Sequence, residues 1–299
     1  MNSIRRGEIL RCARDTANEH GFHQLPVSPK VIAEKKDIMV MPWDSQTLGI
    51  SGCLMKMGDQ FSIGYSTAIK NSGFENYTIA HEFGHYFLDG HPEALLANGM
   101  HVSKSGYVSQ DVHEKEADLF ASELLMPEAL FRAAIRRGGS GFPLIRRLAE
   151  LAETSIVATA IRYAKLSDDP VAVIVSEGPN INWCFLSAAL EECPGVYRLP
   201  KSSVLPSGSA TAMFNQDPEN VATAQGVEGM STLQTWFERA SNAEMKEDVV
   251  GLGHYGRTLT VLFTEEVLHS EEVDGDDSNE GLDTELPSAR WASRDRNRY

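Results

Sequence analysis

The sequence predicts an α+β fold built around one inward-lying helix, and three observations lead there. Residues 77–91, Y-T-I-A-H-E-F-G-H-Y-F-L-D-G-H, set Ile79, Ala80, Phe83, Tyr86, Phe87 and Leu88 on nearly every helical face, as a helix enclosed by protein requires. Short β-rich runs stand just before it, around residues 38–41, 52–57 and 61–65. After Asp169-Pro170 the pattern turns from helical periods back to strand-like runs. Hydrophobic content of 42% and charged content of 23% over 299 residues describe a soluble globular chain with material for two or three domains. The net charge is −15, but residues 271–285 hold eight acids and no base, so the remainder carries −7. That balance argues against a generally nucleic-acid-binding surface. No apolar run reaches membrane-span length, and M-N-S-I-R-R lacks the apolar core of a secretory leader. Cys12, Cys53, Cys184 and Cys193 show no C-x-x-C spacing and read as buried thiols, so a reducing cytoplasm is the expected compartment and no membrane partner is expected.

Taken in order, residues 4–19 form an amphipathic helix with Ile9, Leu10, Ala13 and Ala17 inward, ended by Gly21. Ser28 caps a short helix that opens with Pro29 and runs to about Lys36. Three strands follow, with Gly58-Asp59 turning between the last two, and then the 77–88 helix. Residues 88–112 are a long polar stretch containing Asp89, His91, His101 and Tyr107. It reads as a surface loop with incidental histidines; the alternative is that one of the four borders a cleft and meets the charge of an oxyanion. Residues 111–127, D-V-H-E-K-E-A-D-L-F-A-S-E-L-L-M-P, make an uninterrupted helix stopped at Pro127, with Ala117, Phe120, Ala121 and Leu124 as its inward stripe.

After Pro127 a helix carries Leu130, Phe131, Ala134 and Ile135, then G-G-S-G-F-P breaks the chain at 138–143. The next piece has a helix-turn-helix pattern: Leu148, Ala149 and Ala152 pack its first helix, Ser155 caps its second, and Ala158, Ile161 and Leu166 face inward. Arg132, Arg136, Arg137, Arg146, Arg147, Arg162 and Lys165 give this unit a local positive bias, which opens a DNA-binding reading. Val171–Ser176 and Ile181–Ser187 read as a hairpin holding Trp183; a short helix starts at Asp217-Pro218, and Thr232–Phe237, Glu244–Gly251 and Arg257–Phe263 read as strands. The chain thus divides into a first domain at 1–130, a helix-turn-helix-like unit at 131–168, a small α+β C-terminal domain at 169–269 and a charged, disordered tail at 270–299.

Chemistry concentrates at His81, Glu82 and His85. Two histidines four residues apart share one helix face, about a turn apart, and can both reach one tetrahedral metal ion. Glu82, directed off that face, can take a proton from water at such a centre. Gly84 costs about 1 kcal/mol of helix propensity relative to Ala, which signals close packing or room beside the metal. Running the 111–127 stripe back one turn reaches His113 and Glu114. A buried Glu must be paired or metal-bound, so Glu114 is the third ligand by position, with Asp118 a partner behind a ligand imidazole. Two alternatives stay open: Glu114 as an ordinary helix-start acid in a favourable dipole field, and Glu116 as the ligand in its place. Otherwise Glu116 and Glu123 lie off the stripe and read as solvated acids. A His₂Glu set suits Zn²⁺, and Mn²⁺ or Fe²⁺ also occupy nitrogen–oxygen sites.

T-I-A-H-E-F-G-H-Y-F-L at 78–88, followed by E-K-E-A-D-L-F-A-S-E-L-L-M-P at 114–127, resembles the ImmA/IrrE metallopeptidases, which pair H-E-x-x-H with a downstream E-x-E-A-[ND]-x-F-A-x-x-L-L-M-P helix. V-S-P-K-V-I-A-E-K at 27–35 joins the match, which covers about the first 165 residues. The resemblance implies a zincin-like, gluzincin-type domain and a zinc endopeptidase that cleaves a regulatory protein, a helix-turn-helix transcriptional repressor, in transcription regulation or stress response. Carried over residue by residue, it makes His81 and His85 zinc ligands, Glu82 the general base and Glu114 the third ligand. Related peptidases carry a unit like 131–168, for which a structural or substrate-docking role is preferred, and often a C-terminal sensory-like domain. Two readings compete: a non-proteolytic DNA- or repressor-binding regulator with a structural zinc site, and a toxin–antitoxin or phage-immunity partner that acts by binding. The intact Glu82 favours the enzyme, since a structural site needs no base.

Overall fold

The computed structural model describes residues 1–43, 49–69, 71–104 and 111–264, with the backbone alone at His254, and the chain is a mixed α+β protein. Helix α1 (Ser3–Glu19) starts on Asn2, whose side chain accepts from the Arg5 amide at 2.8 Å, and buries Ile9, Ala13, Thr16 and Ala17. Helix α2 (Pro29–Lys35) opens on the Ser28 cap with proline in its first turn, as the sequence predicts. Strands β1 (Met39–Trp43), β2 (Ile50–Met57) and β3 (Gln60–Ser66) lead into α3 (Ser72–Phe87). The stretch expected to be loop instead forms α4 (His91–Leu95) and β4 (Met100–Lys104), before α5 (Val112–Leu125). M-H-V-S-K has little strand propensity of its own, and β4 forms because β2 offers it a pairing edge. The first sheet runs β1-β3-β2-β4, with β1 parallel to β3 and the other pairs antiparallel.

Three helices follow, α6 (Glu128–Ile135), α7 (Gly141–Ala152) and α8 (Ile156–Leu166), and then the hairpin of β5 (Val171–Glu177) and β6 (Asn180–Leu186). Beyond lie α9 (Ala188–Glu191), α10 (Ala210–Phe214), α11 (Pro218–Ala222), β7 (Gly226–Thr232), α12 (Leu233–Trp236), β8 (Glu244–Gly251) and β9 (Thr258–Phe263). The second sheet has the order β6-β5-β9-β8-β7, antiparallel throughout. The strand expected at 232–237 is corrected: Thr232 ends β7, and its hydroxyl caps α12 by accepting from the Thr235 amide at 3.2 Å. T-L-Q-T-W-F fits either element by composition, and the cap decides it.

β5 shows how the core is shared. Val171, Val173 and Val175 join the cluster that holds Ile79, Phe83, Phe120 and Tyr163, while Ala172 and Ile174 face a second cluster with Trp236, Phe237 and Leu262. Glu123 is a correction of a different kind, since it is buried rather than solvated. It pairs with the buried Arg162 of α8, whose guanidinium also donates to the Met126 carbonyl at 2.8 Å, and Arg14 of α1 approaches it at 3.5 Å. The expectation failed because α5 is covered by α1 on one flank and by α3 on another, so its inward surface is wider than a single stripe. The described residues belong to one compact unit. Among the described residues no helix is long and apolar enough to cross a membrane. Tyr107 and the 270–299 tail lie outside the described residues.

Candidate metal centre

Two close approaches build the site. A Cβ on Gly84 would fall 2.7 Å from the Ala117 Cα and 2.9 Å from its Cβ, so α3 and α5 touch at a point only glycine permits. Glu114, one turn before Ala117, is thereby brought beside His81 and His85. On the other side of α3, a Cβ on Gly52 of β2 would meet the Glu82 carboxylate at 2.7 Å. β4, paired to β2, then lays His101 and Ser103 along the same region.

The distances are those of a ligand set. His81 Nε2 lies 3.1 Å from His85 Nε2, and the two Glu114 oxygens lie 3.3 Å from the first and 3.4 Å from the second. A tetrahedral ion with bonds of about 2.0–2.1 Å has ligand–ligand edges of about 3.3–3.4 Å, so the trio fits a divalent metal. Among the described residues this is the only such group of metal-binding side chains. Asp118 Oδ1 sits 2.9 Å behind His81 Nδ1 and accepts from the Tyr77 hydroxyl at 3.0 Å. His101 Nε2 lies 2.9 Å from a Glu114 oxygen.

Electrostatics separate the roles. Glu82 is fully buried, and neither carboxylate oxygen has a hydrogen-bond partner. Ser103, its own hydroxyl likewise unpartnered, is close enough to favour the Glu82 charge without closing a bond. Burial lifts the Glu82 pKa to about 7 against the opposing pull of His81. Burial would lower His81, but Asp118 and Glu114 outweigh it and hold the metal-free ring at about 10. Burial takes His85 down to about 4. Burial would raise Glu114, yet contacts with His101, His81 and His85 keep it well below the usual carboxylate range. The arrangement can hold a cation on three atoms and set a proton acceptor beside it, poised near neutrality.

The structure brings together His81, Glu82, His85, Glu114 and Asp118. Glu116, the alternative ligand and otherwise expected to be solvated, is buried and turned elsewhere: one oxygen meets Arg5 at 2.6 Å and His91 at 3.1 Å. His91, expected on a surface loop, is fully buried. Its signal was the preceding glycine, Gly90 at φ +86°, which folds the chain back. His101 reaches the centre through strand pairing that no local pattern announces.

Residues 63–163 match the family model of the IrrE N-terminal-like domain (Peptidase_M78). The chain is 35% identical over 101 residues to the radiation response metalloprotease IrrE of Deinococcus radiodurans, a match covering 33% of this chain and 29% of that protein. The chain is therefore matched to less than a third of that relative's length. Its fold is similar to that of a solved Mycobacterium tuberculosis transcriptional regulator, with a TM-score of 0.53, 12% identity, and coverage of 86% of this chain and 76% of the other. At that identity the likeness is one of fold.

Proposed function

We propose, for a chain that belongs to the ImmA/IrrE family through its residues 63–163, that it is a zinc-dependent endopeptidase cleaving a regulatory protein. His81, His85 and Glu114 would hold the ion, with Mn²⁺ or Fe²⁺ as chemically acceptable substitutes. When bound, the ion supplies Lewis acidity toward a scissile carbonyl and toward water. The chain's own residues do the rest. Asp118 holds the His81 ring by its Nδ1, 2.9 Å away. Glu82 takes the proton from the attacking water and later delivers it to the leaving amine. His101 is available to meet charge developing on the carbonyl oxygen. β4 is an edge of its sheet, and among the described residues no strand pairs with its outer side, so an extended substrate can add there.

One observation carries this reading: the buried, unpartnered Glu82 carboxylate beside the three-ligand cluster. Burying a polar group without hydrogen bonds costs about 2–7 kcal/mol, which a purely structural metal site gives no reason to bear. The family resemblance makes a helix-turn-helix transcriptional repressor the proposed substrate and transcription control in the cytoplasm the proposed setting, and the relative's name, a radiation response metalloprotease, supports a link to stress. The fourfold division at 130, 168 and 269, with a zincin-like first domain and a sensory C-terminal one, belongs to the same proposal. The alternative, a DNA- or repressor-binding regulator, would use the helix-turn-helix-like α7–α8 pair. It is disfavoured because α8 buries Thr159, Arg162 and Tyr163 in the core and keeps little surface for reading a groove.

The test is co-expression with the candidate repressor. Wild type should generate two defined fragments; Glu82→Gln should retain metal and lose cleavage by about 10²–10⁴-fold, the scale of general acid–base help. Equal derepression by both forms without fragments would favour a binding mechanism.

A further inference from the structure

We infer that His91, backed by Glu116 and Arg5, is the positioning residue that fixes the His85 ring for a metal ion; the inference rests on the metal-centre reading above. Gly90, at φ +86°, takes a left-handed conformation that a side chain would strain. The turn tucks His91 back beneath α3, its amide donating to the Leu88 carbonyl at 3.1 Å. There the ring is fully buried, with the His113 ring edge-on at 4.8 Å. His91 Nδ1 is 3.2 Å from His85 Nδ1, and His91 Nε2 is 3.1 Å from Glu116 Oε2. The same oxygen accepts from Arg5 Nε at 2.8 Å and from a second guanidinium nitrogen at 2.6 Å, and the guanidinium also reaches the Asp89 carbonyl at 3.2 Å.

These contacts dictate where the hydrogens sit. Two imidazole nitrogens bond only if one carries a hydrogen and the other a lone pair. Glu116, a carboxylate held by Arg5, can only accept, so His91 carries its hydrogen on Nε2. The Arg5 charge already balances Glu116, and nothing in the chain of contacts calls for a second hydrogen on His91. Its Nδ1 therefore accepts, and the shared hydrogen belongs to His85 Nδ1. His85 Nε2 is left with its lone pair, 3.1 Å from His81 Nε2 and 3.4 Å from Glu114. The reverse order would put a hydrogen on His85 Nε2 and remove the ring from the ligand set. His81 receives the same service directly from the carboxylate of Asp118; His85 receives it through an intervening imidazole. Helix α1, distant in sequence from the centre, thus supplies the far end of its support through Arg5.

The ring ¹⁵N spectrum of metal-stripped full-length protein reads the tautomer directly, and competition with a chromogenic chelator reads Zn²⁺ affinity. His85 should be the Nδ1–H tautomer in wild type and lose that preference in His91→Ala, with Zn²⁺ affinity lowered about 10–100-fold. His91→Asn, whose amide oxygen can accept from His85, should recover part of both. If His91→Ala does not fold, Glu116→Gln serves: its amide can donate to His91 and should drive His85 toward Nε2–H. An Nε2–H tautomer in wild type, or an unchanged His85 signature in the folded variants, overturns the inference. Wild type and His91→Ala binding Zn²⁺ equally tightly overturns it while leaving the metal reading intact. A wild type that takes up no Zn²⁺ overturns the metal reading and the inference with it.

Discussion

Glu82 holds a charge where the fold least favours one, and this has a measurable price. Its carboxyl, buried without hydrogen bonds, has a pKa raised to about 7 in the folded metal-free protein, above its ordinary value of 4.5. For a carboxylate raised on folding, the native state binds more protons than the unfolded one between those two values. Stability is therefore lost as pH rises from about 4.5 to about 7 and stays lower above that. At 1.36 kcal/mol per pKa unit the penalty is on the order of 3 kcal/mol. Metal-free Glu82→Gln should be more stable than wild type in urea at pH 8 by up to about that amount, with the gap closing toward pH 5. An equal gap at both pH values would mean that the carboxylate is not desolvated. The meeting of His81 and His85 was legible because their spacing alone fixes their shared face, with Glu82 beside them and off it. Glu116 and Glu123 were not, because their burial depends on Arg5, Arg14 and Arg162 arriving from α1 and α8.

The pairing of α3 with α5 decides whether His81, His85 and Glu114 meet. Gly84→Ala adds a methyl where the Ala117 Cα stands at 2.7 Å, and backbone cannot yield as a side chain can. The overpacking should cost about 1–3 kcal/mol, against a propensity gain of about 1 kcal/mol. Gly7 of α1 is the control: nothing lies within 4 Å of its added Cβ, so Gly7→Ala should stabilise by about 0.4–1 kcal/mol. Paired denaturation curves check both, and a stabilised Gly84→Ala would show that the helices are not pinned at that point. The unfavourable glycine was readable in the sequence as close packing; its partner was not. Elements with strong helical periods and caps, α1, α2 and α5, were legible to within a residue or two, whereas α3 begins at Ser72 on the Asn71 cap, five residues before the apolar run that announced it. β4 and β7 were not, since M-H-V-S-K and the largely exposed Gly226–Thr232 run owe their strand form to β2 and β8 beside them.

Across the whole chain, the proposed site draws on the elements from α1 to α5, where one hydrophobic cluster steadies the helices that carry His81, His85 and Glu114 and continues through α7 and α8 to β5 and β9. The H-E-x-x-H motif and the helix that follows it carried the family resemblance, and the match over residues 63–163 falls on that same region. The sequence after residue 168 offered strands but no chemistry, because nothing there repeats a ligand or catalytic spacing. The proposed chemistry depends on the three side chains holding one ion. Metal analysis of purified wild type, His81→Ala, His85→Ala, Glu114→Ala and Glu116→Ala, each refolded or dialysed with Zn²⁺, tests it most directly. About one ion per chain is expected in wild type, most of it lost in each of the first three variants, with stoichiometric binding kept at saturating metal in Glu116→Ala. Full metal in Glu114→Ala together with its loss in Glu116→Ala would contradict it.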